Sequence, residues 1–236
     1  MACDGVRRKA WMILRIGAAL WLLGGDLEVA RTAEKETRVF SIKIDDKPAG
    51  YHQMTISHPD DHTTTVDSRA DVSVSYLIKK YKYTYRGTER WVDGWLIHLT
   101  SETNDDGRQY RVQVQTNGDK LRVRVNGEEH TTPQDVWTTT YWQLPEWQFP
   151  SQAVALLDCD TGKDLRGTLR YLGTEQLIAG RQTQNCAHYQ LRGEEVHVDV
   201  WYDAQKRLVR QASLDDGHRV LLELARIDRQ ALLPKP

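Results

Sequence analysis

From residue 36 onward, apolar and polar residues alternate with a period of two, the spacing of a strand that buries one face. Phe40, Ile42 and Ile44 begin the pattern, and Met54 and Ile56 resume it after Lys47-Pro48-Ala49-Gly50. This predicts a first hairpin turning at residues 47–50. Pro59-Asp60-Asp61 predicts the next turn, because Pro fixes one dihedral and Asp satisfies turn amides. Between Thr63 and Arg86 the phase changes: Val72, Val74, Tyr76 and Ile78 hold even positions, and Tyr81, Tyr83 and Tyr85 hold odd ones. A slip of one residue exchanges the faces of a strand, so a β-bulge or a turn that bends the sheet is expected near Lys79-Lys80.

Regular punctuation follows at Asp93-Gly94, Asp106-Gly107, Asn117-Gly118, Asn126-Gly127, Thr161-Gly162 and Asp216-Gly217. Asn-Gly and Asp-Gly suit tight hairpins because both central residues must accept positive φ. The runs between them, Leu96 to Leu99, Tyr110 to Gln115 and Leu121 to Val125, have strand length and predict a meander. Gln152 to Leu157 reads as a short helix. Trp91-Val92-Asp93 and Trp201-Tyr202-Asp203 are followed at equal spacing by Asp106-Gly107 and Asp216-Gly217. The same offset aligns Leu99 with Val209, Val112 with Leu222 and Val114 with Leu224, so each copy predicts strand, turn, strand, turn, strand. Residues 131–150 come nearest to a boundary, but their aromatic content points to packing. The expectation is one all-β domain over residues 34–236, a curved antiparallel meander forming an open or partly closed barrel.

Trp201-Tyr202-Asp203, Leu208-Val209-Arg210, Asp216-Gly217 and Leu221 to Leu224 resemble the strand-turn-strand ending of uncharacterised secreted bacterial domains. More distantly, the pattern is similar to the periplasmic lipoprotein-carrier half-barrels. The second resemblance implies an open, curved antiparallel sheet with an apolar hollow. The first implies no activity.

The N-terminal segment sets the compartment. Arg7-Arg8-Lys9 and Arg15 precede an apolar run from Ile16 to Gly25, with small residues near Ala30 and Ala33, the order of a secretory signal peptide over residues 1–33. A transmembrane helix needs about 20 apolar residues, so cleavage is expected, with no membrane span in the mature protein. A periplasmic or secreted location follows. Net charge is −1, which gives no basic footprint for nucleic acid, and 39% hydrophobic residues suffice for a core. Cys3 leaves with the leader, so Cys159 and Cys186 form an even pair in an oxidising compartment. They read either as a disulfide or as two separately buried thiols.

Candidate chemistry is sparse. Trp137, Tyr141, Trp142, Trp147 and Phe149 form the most unusual stretch, suited either to a groove for a lipid chain or sugar face or to a plug in a barrel mouth. Tyr81, Tyr83 and Tyr85 share one strand face and could line the same hollow, although β propensity and cross-strand packing also explain them. His52, His58 and His62 with Asp60 and Asp61 raise a metal reading, but the Pro-Asp-Asp turn is solvated and no metal site is expected. Cys159 with His188 lacks a third orienting group, and Glu89 and Asp93, an acid pair near Trp91 that flanks an edge turn, are expected to be solvated. No His-Glu-x-x-His, Gly-x-Ser-x-Gly, phosphate-cradling or dinucleotide motif is present, so no cofactor is expected. The leading expectation is an exported protein that binds a lipophilic small molecule or lipidated protein in the cell envelope. Its rivals are an extracytoplasmic hydrolase with a non-sequential site and a purely structural or assembly domain.

Overall fold

A computed structural model describes residues 34–76, 79–145, 152–180 and 182–231, so the expected leader, Ile78, Trp147 and Phe149 lie outside the described residues. Within them every alternating run becomes strand, and no helix is present. The strands are β1 (Glu34–Ile44), β2 (Lys47–His58), β3 (Thr63–Tyr76), β4 (Lys79–Val92), β5 (Trp95–Asp105), β6 (Arg108–Asn117), β7 (Lys120–Val125) and β8 (Glu128–Pro133). After them come β9 (Val136–Thr138), β10 (Gln152–Leu157), β11 (Asp164–Ala179), β12 (Gln182–Arg192), β13 (His197–Tyr202), β14 (Leu208–Asp215) and β15 (His218–Ala231). They hydrogen-bond as one sheet in the order β8-β7-β6-β5-β4-β3-β2-β1-β15-β14-β13-β12-β11-β10-β9.

Chain connectivity forces that sheet to curl. Laid flat at a strand spacing of about 4.8 Å, fifteen strands would be roughly 70 Å wide. Its two end strands, β8 and β9, are joined only by Gln134 and Asp135, which reach roughly 10 Å. The result is a nearly closed barrel. Neighbours run antiparallel, apart from the parallel pair β9 and β10. β1 and β15 join the two halves along their full length, from Glu34 opposite Ala231 to Ile44 opposite Val220.

Inward-facing positions carry the core: Phe40, Met54, Ile56, Val66, Leu99, Val114, Leu121 and Val123 are essentially inaccessible. Each such side chain contributes about 1.5–3 kcal/mol relative to exposure. Leu99 and Val209, Val112 and Leu222, and Val114 and Leu224 are all buried, so the two repeat copies, β4–β6 and β13–β15, present equivalent inner faces.

Two local expectations change, and the choice between bulge and turn near Lys79-Lys80 is decided. The first hairpin turns at Asp45-Asp46, both with positive φ, and residues 47–50 belong to β2. A bulge between Ile42 and Lys43 absorbs the shift, and Ala49 points into the core. Gly50 is needed there because an added Cβ would sit 2.0 Å from the Asp71 carbonyl oxygen. The phase change after Tyr76 is a turn rather than a bulge: Tyr76 pairs with Lys79, which places Val72 opposite Tyr83 and Val74 opposite Tyr81 on one face. Gln152–Leu157 is strand, because pairing with β11 on one side and β9 on the other satisfies its backbone and buries Val154, Leu156 and Leu157. Tertiary pairing outweighs the weak helical preference of that run.

The described residues between β8 and β11, 136–145 and 152–163, pack against the inner face of the sheet. Ser101 of β5 donates to the Cys159 carbonyl at 2.5 Å, and Arg38 of β1 donates to the Trp142 carbonyl at 2.5 Å. The Tyr202 hydroxyl of β13 donates to the Tyr141 carbonyl at 3.0 Å. Gly162 lies so close to β6 and β7 that an added Cβ would meet Val125 Cγ2 at 2.4 Å.

Candidate functional site

The aromatic stretch could form a groove or a plug, and its described rings Trp137, Tyr141 and Trp142 are packed. Trp137 and Tyr141 are 1% and 2% exposed, their rings meet edge to face with centroids 4.9 Å apart, and Trp137 Nε1 donates to the Gln143 carbonyl. Trp142 lies against Trp91 with centroids 6.1 Å apart. Tyr81, Tyr83 and Tyr85 share the inner face, as their spacing requires. The Tyr81 hydroxyl donates to Asp105 and that of Tyr83 to Asp160, both at 2.8 Å, while the Tyr85 hydroxyl is buried without a partner.

Around this plug sits a buried acid network. Glu89 of β4 is 1% exposed and accepts hydrogen bonds from Trp91 Nε1, Thr138 Oγ1 and Thr140 Oγ1 at 3.0, 2.9 and 2.7 Å. Burial pushes its carboxyl up to about 7, against the opposing pull of the three donors. Burial, reinforced by neighbouring Asp158, likewise raises Asp160 to about 7. These contacts tie the described residues after β8 to β4 and β5.

Other ionisable candidates are dispersed. Asp93 lies in the exposed β4–β5 turn, paired with His62 at 2.7 Å, whereas Glu89 is buried. His52 faces inward beside Phe40, where burial lowers it to about 4 and keeps it neutral. His58 bonds Thr64 on the surface, so the three histidines do not converge, and no metal-binding group is found among the described residues. His188 stacks on Trp201 at 4.1 Å on β12 and β13, apart from Cys159. Cys159 and Cys186 are both free and buried, so the expected disulfide is not formed. Cys159 lies in the interior loop after β10, while Cys186 sits opposite Glu175 within the β11–β12 pair.

The outward face of β2–β6 carries a concavity of about 500 Å³. Two cross-strand rows line it. One runs Gln53, Arg69, Arg86, Glu102, Arg111, and the other Thr55, Asp67, Thr88, Thr100, Gln113, each residue opposite the next across a strand pair. Beneath them the inward row is mostly small, with Ser68, Gly87 and Ser101, which leaves the sheet room to dip toward the interior. A side chain at Gly87 is excluded, since its Cβ would lie 2.2 Å from the Tyr85 hydroxyl. Gln113 also lines a smaller hollow of about 130 Å³ with Gln115, Arg122, Arg124 and Glu129, so the polar surface continues across β6–β8.

Several charges in the groove are already engaged. Thr88 donates to Asp67 at 2.7 Å, Arg111 pairs with Glu102 at 3.3 Å, and Arg124 pairs with Glu129. Arg69 donates to the Tyr51 hydroxyl at 2.9 Å and lies over that ring. Arg86 stands directly opposite Arg69, an arrangement of like charges that weakens a sheet. Sequence reading missed this groove because its residues occupy the polar phase of ordinary strands. The signal available was register: once the chain turns after Tyr76, Arg69 must face Arg86.

The fold and surface define an all-β, barrel-like domain whose open concavity is polar and whose aromatic interior is filled. The chain belongs to the family described as a domain of unknown function, DUF6134, whose model matches residues 40–225. Its fold is similar to that of a beta-barrel-like protein of the domain of unknown function DUF1849 from Brucella abortus. That match has a TM-score of 0.58 at 10% identity, covering 84% of this chain and 98% of that one. No curated protein matches the sequence.

Proposed function

We propose that this chain is an exported binding domain with no chemistry of its own, which holds a polar partner in the outer groove across β2–β6. The observation that carries this reading is the concavity of about 500 Å³ whose rim is built from Arg69, Arg86, Arg111, Asp67 and Glu102. Convergent polar groups in a concave surface can orient a partner. Export is supported by the basic lead and apolar run before Gly25. A lipophilic ligand has less support, because Trp137, Tyr141 and Trp142 are enclosed by protein. Acid chemistry has less support too, because Glu89 is buried, whereas Asp93 is exposed and paired with His62.

Site-specific photo-crosslinking in the native host tests the proposal. A crosslinker at Thr100, in the groove, should yield a discrete adduct that one at exposed Thr183 on β12 does not. Equal labelling at both positions, or none at Thr100, would overturn the groove as the recognition surface.

A further inference from the structure

We infer that the inner face of β2–β4 holds a buried water that bridges Tyr85 Oη to Ser68 Oγ, with His52 Nε2 at its margin. A cluster of buried polar atoms without partners carries this inference. Among the described residues four buried side-chain atoms have no partner, and three of them, His52 Nε2, Ser68 Oγ and Tyr85 Oη, belong to inward residues of these adjacent strands. Buried polar atoms are almost always paired, so three orphans in one patch point to a shared partner rather than to three separate losses. His52 stands opposite Ala70, and Ala70 opposite Tyr85, so only a methyl group separates the imidazole from the phenol ring along that row. Ser68 stands opposite Gly87, the next inward position of β4 after Tyr85.

Gly87 fixes the geometry. The Tyr85 hydroxyl lies 2.2 Å from the point a Gly87 Cβ would occupy, so it takes the place of the missing side chain. Facing Cβ atoms on paired strands are about 4.5–5.5 Å apart, which sets this hydroxyl roughly 5 Å from the Ser68 Cβ. That span is too long for a direct hydrogen bond and matches the reach of one bridging water. On the other side, the Ser101 Cβ stands 3.3 Å from the same point. Ser101 donates its hydrogen to the Cys159 carbonyl, which leaves its oxygen able to accept a third bond. Buried waters typically make about three hydrogen bonds, and hydroxyls that donate and accept suit them. A metal ion would need carboxylates, and Glu89, the next inward residue of β4, already accepts from Trp91, Thr138 and Thr140.

A high-resolution crystal structure and two conservative variants test the site. An ordered water within about 3.2 Å of both Tyr85 Oη and Ser68 Oγ is expected. Tyr85→Phe and Ser68→Ala each remove one hydroxyl, and each should lower the folded-to-unfolded ratio in urea denaturation by about fivefold, the net worth of a buried hydrogen bond. The double variant loses the same water only once, so its ratio should fall by clearly less than the product of the two single losses. Hydroxyls that are simply unpaired would give the opposite result, because removing a buried orphan relieves its desolvation and raises stability. The inference is overturned by a crystal structure with no water at that position, by single variants at least as stable as wild type, or by single losses that multiply in the double variant.

Discussion

Replacing Glu89 with Gln separates the electrostatic cost of the buried acid from its hydrogen bonds. The amide oxygen can still accept from Trp91 Nε1 and Thr138, which share Oε2, and the amide nitrogen can donate to the Thr140 hydroxyl that faced Oε1. What the variant loses is the ability to ionise. Glu89 is raised from 4.5 to about 7 in the folded protein, so the folded state holds the proton more tightly than the unfolded chain. The stability linked to that proton is fully present below pH 4.5 and is lost as pH rises through about 7. Over that window the loss is about 3 kcal/mol. Asp160 shifts in the same sense and remains in both proteins, so the difference between wild type and Glu89→Gln isolates Glu89. Urea denaturation at pH 5 and pH 8.5 should show that difference moving in favour of the variant by about 2–3 kcal/mol at the higher pH. A difference that is the same at both pH values would refute burial as the source of the raised acid.

Other tests probe the plug and the thiols. Trp142→Ala, which removes an enclosed ring beside Trp91, should destabilise the protein by about 3–5 kcal/mol in thermal or urea unfolding; a change under about 1 kcal/mol would show that the ring is not a core element. Gly162→Ala should cost about 2–3 kcal/mol by the same measurement, because Gly162 has φ +73° and no room for a Cβ beside Val125. Burial pushes the Cys159 thiol up and that of Cys186 to about 11, so neither should react with iodoacetamide in native protein. Both should alkylate after denaturation without reductant, and a peptide linking the two cysteines would contradict the free thiols.

The sequence by itself determined the class of fold. Alternation at Phe40, Ile42 and Ile44, together with the Asp-Gly and Asn-Gly turns, specifies short antiparallel hairpins, because period and turn chemistry are local properties of the backbone. The repeat of Trp91 and Trp201 was legible for the same reason, as was the shared face of Tyr81, Tyr83 and Tyr85. Tertiary structure decided what local pattern leaves open. Trp137 and Trp142 are equally suited to a groove or a plug, and only the contacts of residues 136–145 and 152–163 with the inner faces of β1, β4–β7 and β13 make them core. Gln152–Leu157 became strand because a partner lay on each side of it. Cys159 and Cys186 could pair in sequence, yet the fold sets one in the interior loop and the other within the β11–β12 pair. The outer groove arises where five strands bring Gln53, Arg69, Arg86, Glu102 and Arg111 into one row over small inward residues. Alternation tells which residues face solvent; only the register and dip of the sheet make neighbours of side chains far apart in the chain.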